Sequence, residues 1–481
     1  MPETVIDCLY IDGRFQTPAG TDFMDLINPA TEEVRGRVHL ASAAEAGLAA
    51  EAAWRAAAMM AASTLGQREQ WLRNLSAAVL AREDELIAAD VEEFGIPIRF
   101  APSRVRGAAR SFLAAIDDLR ALNWSYEAGP AKVVLEARGP SALITPWNSH
   151  YTIVCEKMAS ALAAGCPVVI KPSEYSALQA RLLTECFHEA GLPAGAVNVV
   201  LGRGGEAGAA LIGHPLIPHL SFTGSTRVGR LVASGAAAHF KRYTLEMGGK
   251  SPTVILDDAD LEKAVPPAVA ACFRVNGQIC VAGSRLLVPR AWLAKTADLV
   301  CRRVADFQKT GPPADPATVI GPLANQVQYE RVQAYIQAGL REKAHLSAGG
   351  PGRPEGLERG FFVRPTVFTE VDMGMTIARE EIFGPVLCIL GYNDEDQAAQ
   401  MADDTDYGLA AYIFSANPDR AEEFSRRLKA GVVYLNDQLR AEGVPFGGVK
   451  HSGFGRERGV WGLLEHLEPK TIIGFNQLSI K

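Results

Sequence analysis

The sequence lacks the paired cysteine motifs that mark disulfide frameworks and zinc sites. Its eight cysteines are spread from Cys8 to Cys388 without a CxxC pair. Such a distribution is expected of reduced thiols in a cytoplasmic protein. We therefore expect no metal site and a cytoplasmic location.

Long apolar runs and dense basic segments are also absent. No stretch reaches the roughly 18 apolar residues that cross a bilayer, because the strongest candidate, 158–170, is interrupted by Gly165 and Pro167. The first residues are neither basic nor followed by an apolar run, so no signal peptide is expected. A net charge of −7 argues against nucleic acid, which requires a dense basic face. We expect neither a membrane nor a nucleic-acid partner.

The 481 residues are too many for one hydrophobic core, so two or three domains are expected. Residues 42–122 are Ala-rich and helical, and Ser42 and Glu45 have the spacing of a capping box. After Pro140, helices alternate with continuously apolar strands, predicted at 142–145, 168–170, 197–201, 219–222 and 243–246. This alternation predicts an α/β fold with a parallel sheet covered on both faces.

A second α/β segment is predicted from residue 251 to about 434. Two short strands, 132–136 and 470–475, fit neither segment. Strands of this kind often pair across a subunit interface, and we expect that of these two.

The GxGxxG dinucleotide motif is missing from its usual position between a strand and a helix. Three other polar turns follow predicted strands, at 171–174, 202–208 and 222–226. Parallel sheets bind ligands at the carboxyl ends of their strands, and free amides at the start of a helix bind anions. Three such turns at one edge favour a nucleotide site over simple tight turns.

Cys280 has the most informative surroundings of the cysteines, because Gly277 and Gly283 allow main chain to approach a substrate closely. A cysteine in such a loop is more often a small buried residue than a nucleophile. Glu246 ends a strand ahead of two glycines, where it is either a base or a structural cap. Asn148 also follows a strand end, and its amide could donate to an oxyanion.

Eight motifs in this order resemble the aldehyde dehydrogenase superfamily over nearly the whole chain. They are Pro146-Trp-Asn148, Lys171-Pro-Ser-Glu174, Phe222-Thr-Gly-Ser-Thr226, Glu246-Met-Gly-Gly-Lys-Ser-Pro252, Gly277-Gln-Ile-Cys280, Glu380-Glu-Ile-Phe-Gly-Pro385, Tyr407-Gly-Leu409 and Pro445-Phe-Gly-Gly448 with Ser452-Gly453.

The resemblance implies a role for each matching residue. Cys280 corresponds to the nucleophile, Glu246 to the general base, Asn148 to the oxyanion donor and Lys157 to a proton relay. The implied NAD-binding residues are Trp147, Lys171, Ser173, Glu174, Gly204, Gly224, Ser225, Glu381 and Phe383.

The resemblance also implies a fold with three parts and a homodimer or homotetramer. The expected division is a Rossmann-like NAD-binding domain at 1–122 and 146–248, a catalytic domain at 249–435, and a β-strand oligomerisation arm at 123–145 and 466–481.

The implied reaction is oxidation of an aldehyde to its acid with NAD, through a thiohemiacetal and a thioester on Cys280. Three alternatives stand beside it: a CoA-acylating dehydrogenase, a thiol esterase without redox chemistry, and a non-catalytic protein on this fold. Glu246 argues against the first, Lys171, Glu174 and Glu381 against the second, and the three catalytic residues together against the third.

Several positions depart from the common pattern of the family. Ser149 and His150 follow Asn148 where Phe-Pro is usual, and Arg227 stands where an acidic residue is common. Arg227 would weaken discrimination against the 2′-phosphate of NADP, but the carboxylate of Glu174 would repel that phosphate. NAD is therefore favoured over NADP. The substrate tunnel would be lined by Ser149, Thr152, Ile153, Glu156, Arg274, Ile279, Val281 and Phe446. Arg274 and Glu156 either bind a polar or semialdehyde substrate or form an ion pair with each other.

Overall fold

The computed structural model describes residues 5–307, 309–436, 441 and 443–475. Residues 1–4 of the expected cofactor domain and 476–481 of the expected arm lie outside the described residues. The strands are β1 Val5–Asp7, β2 Leu9–Ile11, β3 Arg14–Gln16, β4 Phe23–Ile27, β5 Val34–His39, β6 Ser125–Ala128, β7 Ala131–Ala137, β8 Ser141–Ile144, β9 Val168–Lys171, β10 Val197–Val200, β11 His219–Thr223, β12 Arg242–Glu246, β13 Pro252–Ile255, β14 Arg285–Pro289, β15 His345–Ala348, β16 Thr366–Thr369, β17 Val386–Tyr392, β18 Tyr407–Gly408, β19 Ala410–Phe414, β20 Val432–Leu435, β21 Val449–Lys450, β22 Gly453–Phe454 and β23 Leu467–Ile473.

Helices connect most of these strands. They are α1 Ala43–Ala61, α2 Leu65–Ala81, α3 Glu83–Ala89, α4 Ala101–Ala121, α5 His150–Ala163, α6 Ala177–Glu189, α7 Ala209–Gly213, α8 Thr226–Ala238, α9 Leu261–Phe273, α10 Leu293–Phe307, α11 Gln326–Arg341, α12 Thr376–Arg379, α13 Glu395–Asp403, α14 Pro418–Ser425 and α15 Gly459–Leu464. No helix in the described ranges is long and apolar enough to span a bilayer.

The first sheet has eight strands in the order β22-β12-β11-β8-β9-β10-β2-β3. Its five central strands, β12 to β10, are mutually parallel, as the apolar runs predict. On either side of them, β22 and β2 are antiparallel to the central strands. The edge strand β3 pairs antiparallel with β2 and so runs in the same direction as the central strands. The sequence pattern did not indicate β22, because a strand of two residues carries no alternation to detect.

Helices cover both faces of this sheet. On one face, α1 buries Ala46, Ala49, Ala50 and Ala53, a single stripe at helical spacing whose methyl groups let the helix approach the strands closely. Residues of α2, α4, α5 and α6 form the core on the other face. The predicted capping box at Ser42 is confirmed, with both of its hydrogen bonds present.

The second sheet has seven strands in the order β15-β16-β17-β14-β13-β19-β20, and β15 alone of them is antiparallel to its neighbour. Its strand β13 begins at Pro252, six residues after Glu246 ends β12 in the first sheet. The chain therefore crosses between the two sheets directly beside a candidate catalytic residue.

The two strands that fit neither segment are present as β7 and β23. They pair with each other within one chain, from Leu467 opposite Ala137 to Ile473 opposite Ala131, and β6 pairs on the other side of β7. At the edge where they meet, β7 and β23 are therefore neighbours within one chain. Pairing across a subunit interface stays a prediction for the other edge of β23. Residues 141–144, which the expected division placed in the arm, form β8 at the centre of the first sheet.

Candidate active site

Five of the predicted site residues lie at the carboxyl ends of the five parallel strands of the first sheet. Glu246 and Lys171 are the last residues of β12 and β9, and Ser225, Asn148 and Gly204 follow β11, β8 and β10. The prediction that the polar turns meet at one edge of one sheet is confirmed.

Cys280 lies in the loop between α9 and β14, that is, on the second sheet. Three consecutive residues before it, Val275, Asn276 and Gly277, have φ of 56°, 57° and 72°. A Cβ on Gly277 would lie 2.2 Å from the carbonyl carbon of Gly384, so only glycine fits there.

The Asn276 side chain holds this strained loop in place. Its amide nitrogen donates to the carbonyls of Gly95 (3.2 Å) and Pro322 (3.0 Å), and its oxygen accepts from the amide of Gly321 (2.8 Å). The position of Cys280 is therefore fixed by main chain from two distant parts of the sequence, at Gly95 and at Gly321–Pro322.

Asn148 is buried and lies beside this loop. Its Nδ2 donates to the carbonyl of Gln278 at 2.9 Å, which leaves the second hydrogen of the amide for another acceptor. The Arg104 guanidinium donates to the carbonyl of Asn148 at 3.2 Å and pairs with the fully buried Asp90 at 2.6 Å.

One cavity of about 600 Å³ brings the sheet edge and the thiol together. Its lining includes the following predicted site residues: Trp147, Asn148, Ile153, Gly224, Ser225, Cys280, Glu381 and Phe383. Gln328 and Arg331 of α11 also line it.

The thiol of Cys280 is held in its protonated form by its surroundings. Burial raises its pKa to about 12, and the carboxyl groups of Glu381 and Glu246 add to the rise. The positive charge of Arg458 and the main-chain N–H of Cys280 itself oppose it. A thiolate at neutral pH therefore requires a further positive charge near the sulfur.

Glu246 is 3% exposed, and neither of its carboxyl oxygens has a hydrogen-bond partner among the described residues. Burial raises its pKa well above the ordinary value, the nearby Glu457 raises it further, and Lys157 opposes the rise. The main chain at Gly447 lies close against the carboxyl group of Glu246, because a Cβ on Gly447 would be only 2.6 Å from Glu246 Oε1.

A buried hydrogen-bond network lies next to Glu246. Lys157 Nζ donates to Ser221 Oγ at 2.8 Å and forms an ion pair with Glu457, and Ser221 Oγ donates to Glu457 Oε1 at 2.9 Å. Lys157 thus sits behind Glu246, where the resemblance places a proton relay.

Glu381 lies against the glycines that connect the two sheets. Its Oε1 accepts from the amide of Gly249 at 3.1 Å, and a Cβ on Gly248 would lie 2.2 Å from Oε2. Burial raises the pKa of Glu381 to about 7, although the Gly249 amide and Arg331 oppose the rise. Phe383 meets Trp147 edge to face at 5.6 Å.

The remaining predicted cofactor residues form a second group along the same edge. Lys171 Nζ pairs with Glu174 Oε2 at 3.1 Å, and Ser173 caps the short helical turn that contains Glu174. A Cβ on Gly204 would meet no described atom within 4 Å, so the main chain there faces open space.

The predicted substrate residues of α5 share one face. In this otherwise buried helix, Thr152, Ile153 and Glu156 are partly exposed, as is Ser149 just before it. Ile279 and Val281 flank Cys280 and are also partly exposed.

The expected alternative of a Glu156–Arg274 ion pair is wrong. Glu156 pairs with Arg458 at 2.8 Å, whose guanidinium lies 4.5 Å from the ring centroid of Phe446. Arg274 begins the turn after α9 and is exposed. Glu156 instead faces the segment that returns to the first sheet near residue 458.

Sequence reasoning missed the residues that support this site: Asp90, Arg104, Arg331, Glu457 and Arg458. Each lies in a charged stretch that resembles a solvated surface, such as Arg456-Glu-Arg458. Only the adjacency of Glu457 and Arg458 to the Pro445–Gly453 motif offered a signal. Among the described residues, no group of three His, Cys, Asp or Glu side chains is placed to hold a metal ion.

A thiol and an amide donor line one cavity, and the buried carboxyl group of Glu246 is close enough to the thiol to raise its pKa. These are the components of covalent catalysis by cysteine. The model of the aldehyde dehydrogenase family matches residues 15–472, and this chain belongs to that family.

Relatives and solved structures agree with this assignment. The chain is 43% identical to the 3-succinoylsemialdehyde-pyridine dehydrogenase of a Pseudomonas species, over 97% of this chain and 98% of the relative. It matches aldehyde dehydrogenase C of Pseudomonas syringae, solved with NAD+ and octanal, with a TM-score of 0.96 and 44% identity over 98% and 97% of the two chains. Betaine aldehyde dehydrogenase of Staphylococcus aureus, solved with NAD+, matches with a TM-score of 0.94 and 32% identity over 99% and 96%.

Proposed function

We propose that this enzyme oxidises an aldehyde to its carboxylic acid with NAD+ through a covalent adduct on Cys280. The thiolate attacks the carbonyl carbon and forms a tetrahedral alkoxide. Loss of hydride from that carbon leaves a thioester, and water then releases the acid and the free thiol. The observation that carries this proposal is the shared cavity of Cys280, Asn148 and the predicted cofactor residues.

Asn148 stabilises the alkoxide through the hydrogen of its amide that Gln278 does not accept. One such donor is typically worth about 3 kcal/mol in the transition state. Glu246 takes a proton from the attacking water, because a carboxyl group with a raised pKa is a stronger base than an ordinary one. Lys157 then moves the proton away through its contacts with Ser221 and Glu457.

The residues at the sheet edge fit a dinucleotide. A ligand has room at three points of this edge that side chains would otherwise fill. They are the open main chain at Gly204, the start of α8 at Ser225, and Gly248, where main chain closely approaches Glu381. Lys171, Ser173 and Glu174 would hold the adenosine ribose, Gly204, Gly224 and Ser225 the pyrophosphate, and Trp147, Glu381 and Phe383 the nicotinamide end. Bound NAD+ supplies the hydride acceptor and a positive charge beside the thiol. Glu174 disfavours a 2′-phosphate by repulsion.

The substrate we propose is a polar aldehyde, including the semialdehydes. Arg458 is close enough to Cys280 to lower the pKa of the thiol and forms an ion pair with Glu156, so charged groups lie near the reacting thiol. The name of the Pseudomonas relative, a semialdehyde dehydrogenase, supports this class.

The thiol esterase and CoA-acylating alternatives have no comparable support. An esterase has no use for Lys171, Glu174 and Glu381, and acyl transfer to CoA has no use for a buried base at Glu246. We further propose that the first sheet carries the cofactor, the second the nucleophile, and β6, β7 and β23 the oligomerisation arm of a cytoplasmic homodimer or homotetramer.

The test follows NADH at 340 nm with wild type, Cys280→Ala and Glu246→Gln. Wild type should form NADH with an aldehyde panel, and Cys280→Ala should form none. Glu246→Gln should give a burst of NADH followed by slow turnover, because thioester formation does not require the base. Ester hydrolysis by wild type without NADH from any aldehyde would overturn the proposal.

A further inference from the structure

A second cavity, of about 710 Å³, lies between α4, α5 and the C-terminal segment. The residues of α4 that line it recur every three or four positions and so share one face of the helix. They are Gly107, Arg110, Ser111, Ala114, Ala115 and Asp118. Most of them are small, as is Ala159 on the facing side of α5, and this leaves the space open.

The carboxyl group of Asp118 is the unusual feature of this cavity. Asp118 is only 8% exposed, yet no donor or cation among the described residues bonds to its carboxyl group. Burial and the neighbouring Asp117 are what raise its pKa, to about 6, and no hydrogen bond or positive charge opposes them. A buried carboxyl group without any partner is costly.

A ligand in the cavity can reach this carboxyl group. Asp118 is one of the lining residues, and neither of its oxygens is sealed off from the cavity. The C-terminal segment comes closest with a glycine, since a Cβ on Gly443 would lie 4.0 Å from Asp118 Oδ1. No side chain of that residue therefore stands in front of the oxygen.

The other charged groups that line the cavity have partners of their own. Glu156 pairs with Arg458 at 2.8 Å, so their charges cancel. Arg110 is also engaged, and it lies two turns before Asp118, about 12 Å away along the axis of α4. In the described part of the chain, the ionised form of Asp118 thus leaves one negative charge in the cavity without a counter-ion.

This arrangement selects for a cationic group with N–H donors. A primary ammonium group is compact and brings three donors and one positive charge, which would give Asp118 both a hydrogen bond and a counter-ion. Ser111 and Ser160 add hydroxyl groups to the same walls, where they can accept a further N–H. A carboxylate would be repelled, and an apolar ligand would leave Asp118 unpaired.

We propose that this cavity binds the primary ammonium group of a small organic molecule, with Asp118 as its counter-ion. The ammonium group belongs either to a separate amine or to the far end of an aldehyde substrate. Only the second source rests on the proposed function, and the experiment distinguishes the two.

Isothermal titration calorimetry with n-hexylammonium and its neutral analogue 1-hexanol tests the site at pH 8, where Asp118 is ionised. We expect the ammonium ion to bind about tenfold or more tightly than the alcohol, as for one hydrogen bond to a charged group. In Asp118→Asn this preference should fall to about one. That variant should still fold, because it removes a buried charge that has no partner.

Two further variants serve as control and as a test of location. Asp117→Asn removes the neighbouring exposed charge and should change the preference by no more than about twofold. Ala114→Leu adds bulk to a partly exposed position of the cavity wall without altering any charge. It should weaken the binding of both ligands.

Inhibition kinetics then identify the source of the ammonium group. If n-hexylammonium raises KM for pentanal without lowering kcat, the cavity holds the far end of a substrate. If it binds in the calorimeter and leaves KM unchanged, the cavity takes a separate amine.

Three results would each overturn the inference: equal affinities for the ammonium ion and the alcohol, a preference that survives in Asp118→Asn, or binding that survives unchanged in Ala114→Leu. Absence of NADH from every aldehyde would overturn the proposed function instead, and the calorimetric result would stand.

Discussion

At the scale of single residues, Glu246 is notable because the protein buries a carboxyl group without giving it a hydrogen-bond partner among the described residues. Burial and the neighbouring Glu457 favour its neutral form. The deprotonated form is therefore scarce in the acidic range and grows as the pH rises. A buried carboxyl group that served only to cap a helix or to form an ion pair would have a hydrogen-bond partner.

The first prediction concerns the pH dependence of thioester hydrolysis. Because burial and Glu457 raise the pKa of Glu246, the rate of steady-state turnover after the burst should still climb with pH above the range in which an ordinary carboxyl group titrates. Rapid-mixing measurement of burst and steady-state rates would show this. In Glu246→Gln the steady-state rate should be slow and much less dependent on pH. If the rate of this variant rose with pH as steeply as that of wild type, the titrating group would be a residue other than Glu246.

The second prediction concerns the thiol. Since the pKa of Cys280 without cofactor is about 12, its alkylation by iodoacetamide should accelerate about tenfold per pH unit from neutrality upward, without a plateau below about pH 10. Peptide mass spectrometry should follow Cys280 specifically, because Cys301 is also partly exposed. Addition of NAD+ should increase the rate at neutral pH. A plateau near neutrality in the free enzyme would show that burial does not hold the thiol in its protonated form.

The residues that perform chemistry were predictable from sequence, but those that hold them were not. Cys280, Glu246 and Asn148 stand beside glycines and strand ends, which are local signals. Arg458 and Glu457 work through partners about 300 residues away, and no local pattern encodes such a contact.

At the scale of elements, the loop of residues 274–283 combines three left-handed residues with hydrogen bonds to distant main chain. The third prediction is that Gly277→Ala destabilises the protein by more than about 2 kcal/mol, because its Cβ would collide with the carbonyl carbon of Gly384. Thermal unfolding and NADH formation would both report the change.

A control for this substitution is Gly66→Ala. A Cβ on Gly66 in α2 meets no described atom within 4 Å, so alanine should be neutral or stabilising by up to about 1 kcal/mol. Equal effects of the two substitutions would show that the loop is not constrained as described.

The fourth prediction concerns the connection between α4 and Asn148. Arg104→Gln should leave the fully buried Asp90 without its ion-pair partner and cost about 3–5 kcal/mol. It should also lower kcat more than the affinity for NAD+, because Arg104 donates to the carbonyl of Asn148. Denaturant unfolding and cofactor titration would separate the effects. As a control, breaking the exposed ion pair Arg426–Glu422 should lower the free energy of unfolding by no more than about 1 kcal/mol.

The parallel strands were predictable because strands buried on both faces are apolar throughout. The edge strands were harder, since β22 has two residues and β2 and β3 lie in a stretch without clear periodicity. The partner of an arm strand was not predictable either, because alternation fixes which face is apolar and not which strand is adjacent.

At the scale of the whole molecule, the arm presents apolar side chains to solvent in the single chain. Ile473 is 78% exposed, Tyr126 51% and Ile472 41%. Exposed apolar patches of this kind mark association surfaces.

The fifth prediction is that Ile473→Lys shifts the assembly toward smaller species. A buried charge at a subunit contact is costly, and sedimentation velocity would detect the change. Lys263→Ala, which removes an exposed side chain of α9, serves as the control. An assembly that is unaffected by Ile473→Lys would place the subunit contact elsewhere.

The last segment of the fold has a consequence for how the enzyme is made. Main chain at Gly447 covers Glu246, Glu457 anchors Lys157, and β22 pairs with β12. A chain in which residues 447–458 have not yet docked therefore holds Cys280 without a finished base. Such a folding intermediate can form the thioester, which does not require the base, but it hydrolyses the thioester slowly and so stops after about one turnover.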